Sequence, residues 1–149
     1  MAVTKREFSK ILVAVDGSEA SMDAADYAID MAKMYNARLT TLTVSHISSY
    51  GLAAHPDAIK QRKEKHVLES TQWFDKFNQN AKQNDVQLKT ELIESQMSVE
   101  GAIVEYAESN GIDLIILGTR GRSGIKKLLL GSVASGVMNY ATCPVMVVK

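Results

Sequence analysis

The chain has 149 residues, 46% of them hydrophobic and 23% charged, which is the make-up of an ordinary globular domain and excludes disorder. No apolar run approaches the ~18 residues of a membrane span, and the opening MAVTKREFSK lacks the apolar core of a secretory signal. Seventeen basic residues balance seventeen acidic ones, which argues against a general affinity for nucleic acid or membrane, and one cysteine makes no internal disulfide, so a cytoplasmic protein is expected. The neutral total hides a swing: residues 91–113 hold six acids and no Lys or Arg, whereas 114–149 hold no acid and five bases, four of them between Arg120 and Lys127.

Strand and helix signals alternate along one expected domain, 1–149. Ile11–Val15 is an apolar run without alternation, as in a strand buried on both faces, and it stops at Asp16-Gly17-Ser18. From Glu19 to Tyr35 small and apolar residues recur at helical spacing, with Ser18 placed to cap the helix and Met22, Met31 and Met34 as core or interface filler. Leu39–Val44 reads as a second strand. The polar stretch 45–57 is long for a connection, and its part 47–57 is expected to act as a lid over a ligand. A long helix follows from Asp57 to about Asn84, with Val67, Thr71, Phe74, Phe77 and Ala81 as its apolar stripe and Trp73 beside it. Leu88–Glu94 alternates in the manner of a half-exposed edge strand. Ser98 caps a third helix that Asn110-Gly111 ends. Leu114–Leu117 is a buried strand, a helix runs from about Gly131 to Tyr140, and Pro144–Val148 is a final strand. Five strands and four helices in alternation imply a doubly wound, Rossmann-like α/β fold with parallel strands. With Leu88–Glu94 at one edge the strand order is 3-2-1-4-5, and the order reverses between the first and fourth strands.

Ligands of such sheets bind beyond the carboxyl ends of the strands at that reversal. The segments there are Asp16-Gly17-Ser18 and the Gly-rich stretch that runs from Gly118 to Ser132. Gly118 and Gly121 allow a tight turn and close approach of the backbone to a ligand. Gly131-Ser132 opens a helix whose free N–H groups suit a phosphate, with Arg120, Arg122, Lys126 and Lys127 as nearby cations. The stretch is neither a Walker A loop nor a dinucleotide G-x-G-x-x-G. Asp16 at the apex can accept from ribose hydroxyls or meet a phosphate-bound Mg²⁺.

The spacing G-x2-G-x9-G-[S/T] at Gly118, Gly121, Gly131 and Ser132 resembles the ATP-binding branch of the universal stress proteins. The opening Ile11–Glu19 and the ending Thr142–Val148 resemble the first and last strands of that family. The resemblance implies an adenine nucleotide alpha hydrolase-like fold that binds ATP, with Mg²⁺ carried on the phosphates. It implies that Ala14, Val15 and Val44 line the adenine side and that Asp16 sits by the nucleotide. Leu117 and Gly118 then lead into the phosphate loop, and Gly121, Gly131, Ser132 and Val133 donate to the phosphates. Thr43 and Arg120 stand where many relatives have His.

His46, His55 and His66 are too scattered for a metal site, Cys143 reads as a packed thiol, and Trp73 belongs to a helix stripe and not to a nucleic-acid surface. No general base is arranged for catalysis. The expected function is that of a regulatory ATP-binding stress-response protein with at most slow hydrolysis. A genuine ATPase, an ATP-independent interaction module and an FMN carrier are the alternatives. The last strand, apolar on both faces at a sheet edge, is expected to pair with its copy in a homodimer through Pro144, Val145, Met146, Val147 and Val148.

Overall fold

A computed structural model describes residues 7–47, 56–119 and 130–149. The strands are β1 (Lys10–Ala14), β2 (Arg38–His46), β3 (Leu88–Ser95), β4 (Leu114–Gly118) and β5 (Val145–Val148). The helices are α1 (Glu19–Tyr35), α2 (Pro56–Gln83), α3 (Val99–Ser109) and α4 (Ser132–Tyr140). All the pairings are parallel and the order is β3-β2-β1-β4-β5, so the reversal lies between β1 and β4 and the two edges are β3 and β5.

Alternation along each strand sorts side chains into two cores. Ile11, Val13, Leu39, Leu114 and Ile116 face α1 and α2, which contribute Ala24, Ala28, Ile29, Trp73 and Phe77. Leu12, Leu42, Ile115 and Leu117 face α3 and α4, which contribute Ile103, Ala107, Ala134 and Val137. The alanines of α1 keep that helix close to the sheet. Ser18 begins it, its Oγ accepting from the Ser21 amide at 3.2 Å, and Asn36 ends it with φ 52°. Ser98 caps α3 in the same way, through the Gly101 amide at 3.1 Å. Each such cap is worth about 1 kcal/mol.

Two expectations change. In α2 the buried row is Ser70, Trp73, Phe77 and Ala81, with Phe74 half-buried, while Val67 and Thr71 are exposed. The helix is 28 residues long, and none of the described side chains among its first fourteen positions is buried, so Val67 and Leu68 there have no layer to pack on. Met34 is 73% exposed and fills no core, whereas Met22 and Met31 pack against one. Thr41 and Thr43 of β2 are buried on the α1/α2 face, and neither hydroxyl has a hydrogen-bond partner among the described residues.

Candidate functional site

A cleft of about 150 Å³ opens at the carboxyl ends of β1, β2 and β4, at the reversal of strand order. β1 and the turn after it supply Ala14, Val15 and Asp16, β2 supplies Val44, and β4 supplies Leu117 and Gly118. The start of α4 closes the cleft with Gly131, Ser132 and Val133. Nine residues expected at a ligand site from sequence therefore line one hollow. Arg120, Gly121 and Arg122, and most of the expected lid at 47–57, lie outside the described residues.

The turn after β1 is held by its own polar groups. Asp16 Oδ1 accepts from the Ser18 amide at 2.9 Å, Gly17 takes φ 83°, and Ser21 Oγ donates to the Ser18 carbonyl at 2.9 Å while accepting from the Asp16 amide at 3.3 Å. This Asx-type turn aims the start of α1 and fixes the Asp16 carboxylate at the rim. Asp16 is the only carboxylate among the described lining residues, and these residues hold no cluster of three or more metal-ligating side chains.

Val15 contributes differently from the expectation. Its side chain lies in the core on the α1/α2 face, so what it offers the cleft is main chain. Thr43 is on that face too and does not line the cleft, whereas Val44 and Ala14 face it. Gly118 has an internal reason to be glycine, since a Cβ there would meet the Ala20 backbone at 2.7 Å.

The first turn of α4 differs from those of α1 and α3. Gly131 is its N-cap, with φ −60° and ψ 157°, and no side chain caps it. Gly131 is tied to the end of β4, its amide donating to the Thr119 carbonyl at 2.7 Å. The amides of Ser132, Val133 and Ala134 precede the first intrahelical donor, Ser135, and no described residue accepts from them. All three residues line the cleft, so the positive end of a helix opens onto it.

Sequence reasoning missed Ser21, Leu42, Thr119, Ala134 and, from α3, Val99 and Ile103. Leu42 shares its face with Val44 by period two and was within reach. Val99 and Ile103 were not, because they reach the cleft only through the crossing of α3 over the sheet.

The sequence model of the universal stress protein family matches residues 7–149. The chain belongs to the universal stress protein family. A universal stress protein of Methanocaldococcus jannaschii is 37% identical over 149 residues, covering 95% of this chain and 82% of that one. The universal stress protein YxiE of Bacillus subtilis is 34% identical, with 95% and 99% covered. Among solved structures, the universal stress protein UspA from Lactobacillus plantarum superposes with a TM-score of 0.81 at 29% identity, covering 97% of this chain and all of that one. Structures of more distant universal stress proteins share the fold and are described as complexes with cAMP, with dAMP (Archaeoglobus fulgidus) and with AMP (Arabidopsis thaliana), at TM-scores of 0.69, 0.70 and 0.67 and 23%, 17% and 16% identity; they cover 97%, 97% and 95% of this chain and 98%, 100% and 91% of their own. Among the described residues no helix is long and apolar enough to cross a membrane.

Proposed function

We propose that the cleft binds ATP and that this universal stress protein works as a cytoplasmic, nucleotide-dependent regulatory homodimer without dedicated catalysis. The observation that carries this reading is the uncapped first turn of α4, with three unbonded amides at a cleft that Ala14, Leu42, Val44 and Ile103 line with apolar surface and Asp16 with a carboxylate. Such a turn suits the phosphates of a nucleotide, and Ser132 adds a hydroxyl beside them. Ala14, Val44 and Leu42 offer apolar surface to a base, and the main chain at Val15 offers polar groups to its edge. A hollow of about 150 Å³ is of the size that takes up an aromatic ring. That relatives of the same fold are solved with adenine nucleotides supports adenine as that ring.

A single carboxylate is too few for a protein-built Mg²⁺ site, but it fits a Mg²⁺ that arrives on phosphates and keeps several waters. Asp16 is the residue that would meet it or the ribose. The metal would neutralise phosphate charge, and no described side chain is arranged beside it as a general base. The edge strand β5 is the surface assigned to the partner copy. Its residues Val145, Met146 and Val147 are only half-buried, although apolar, and its outer backbone groups face away from the sheet.

The test of the phosphate placement is Ser132→Pro. Proline is well accepted at the first helical position and after an extended N-cap, so α4 persists while one amide and one hydroxyl are lost. Calorimetry should show ATP affinity reduced by about tenfold or more, the loss of one or two hydrogen bonds to charge. Wild-type affinity in this variant overturns the placement.

A further inference from the structure

A second hollow, of about 330 Å³, lies at the amino ends of β1, β2 and β3, at the opposite end of the sheet from the nucleotide cleft. Lys10 to Ala14 spans roughly 13 Å of strand between the two. In register, Lys10 sits beside Arg38 and Thr40 beside Lys89. Period two places all of them on the face that α3 covers, together with Leu12 and Leu42. Tyr106 from the last turns of α3, with Asn110 and Ile112 after it, forms the opposite wall. Three cations thus line the hollow and no Asp or Glu does, in a chain whose charges balance.

Internal partners account for two of the three cations. Lys10 Nζ donates to the Asn110 carbonyl at 3.4 Å, at the negative end of α3, and Lys89 Nζ pairs with Glu91 at 2.9 Å across a largely exposed contact. The Arg38 guanidinium makes no hydrogen bond or ion pair with any described residue. Nearby Asp113 keeps its charge but not its hydrogen-bonding freedom: its oxygens accept from the Ser9 and Lys10 amides at 2.9 and 3.1 Å and form no ion pair with Arg38. Burial, and after it the charge of Glu91, push the Tyr106 phenol above its ordinary value, so it stays protonated, with Thr40 as a side-chain hydrogen-bond partner.

We propose that this hollow is a second ligand site, for a small organic phosphate monoester. The dianionic phosphate meets Arg38, whose planar fork suits it, with Lys10 and Lys89 as flanking charges. The organic body lies against the Tyr106 ring and Ile112. The site does not depend on the nucleotide reading, since it shares no residue with the first cleft.

Phenyl phosphate is a suitable probe, titrated into the ¹⁵N-labelled full chain with amide shifts read residue by residue. Saturable shifts at Lys10, Arg38, Lys89 and Tyr106 are expected, with a Kd at or below about 1 mM. Arg38→Gln, at an exposed position, should keep the fold and weaken binding by about tenfold, and Tyr106→Phe should weaken it further when combined with it. Inorganic phosphate and benzoate should bind more weakly than phenyl phosphate. Shifts that do not saturate, that are confined to Gly131–Ala134, or that persist unchanged in Arg38→Gln overturn the site. Equal or tighter binding of inorganic phosphate or benzoate overturns the ligand class.

Discussion

Gly118 at the end of β4 and Ala20 in the first turn of α1 are so close that a Cβ on Gly118 would stand 2.7 Å from the Ala20 carbonyl carbon and oxygen. Both atoms are backbone, so neither can swing away. Gly118→Ala should therefore push α1 from the sheet and destabilise the protein by about 1–3 kcal/mol, the usual cost of overpacking. The denaturation midpoint in urea would fall with little change in slope. ATP affinity should fall too, since Asp16 and Gly118 line the same cleft. A variant with the wild-type midpoint would show that the contact is soft.

Base choice is a separate test. With the base against Ala14, Leu42 and Val44 and its edge read by main chain at Val15, as proposed, ATP should bind more tightly than GTP by about tenfold, the worth of one or two hydrogen bonds. Competition calorimetry measures the ratio. Equal affinities would leave a phosphate site without an adenine pocket.

The β5 edge makes a third prediction. Met146→Pro removes a backbone donor in mid-strand, and Val147→Asp brings like charges together near a twofold axis. Wild-type protein should sediment as a dimer at tens of micromolar, roughly the range in which a specific interface holds. One or both variants should shift towards monomer. A monomeric wild type would count against the pairing.

Cys143 supplies a pH test. Burial, followed by the negative charge of Asp113, raises its thiol above the ordinary value, so less thiolate is present at any given pH than for a free cysteine. Alkylation by iodoacetamide at pH 8 should be slower than that of free cysteine, and the rate should climb to its plateau at a higher pH. A rate equal to that of free cysteine would mean an open thiol.

These residues also show how far the sequence could be read. Ser18 and Ser98 announced the starts of α1 and α3 because a cap is a local event, decided within three residues. The strand order followed from the contrast between the alternating Leu88–Glu94 and the uniformly apolar Ile11–Val15, which reports how many faces each strand buries. What could not be read was tertiary. Nothing local distinguishes Val67 from Trp73 on α2; only the extent of the sheet beneath the helix leaves the first exposed and the second buried. Val15 looked like a wall of the cleft, yet its side chain turns into the other core. Gly118 looked like a ligand-facing glycine, and its tightest neighbour is another strand-to-helix junction of the same chain.

The four-residue join Ala141–Pro144 between α4 and β5 gives the molecule an uneven mechanical layout. The helix whose first turn closes the cleft is also the last element before the sheet's outer edge, and Ala134 and Val137 clamp it to the core between the two. Two copies joined edge to edge through β5 would each hold the helix that closes its cleft one short join away from the shared seam.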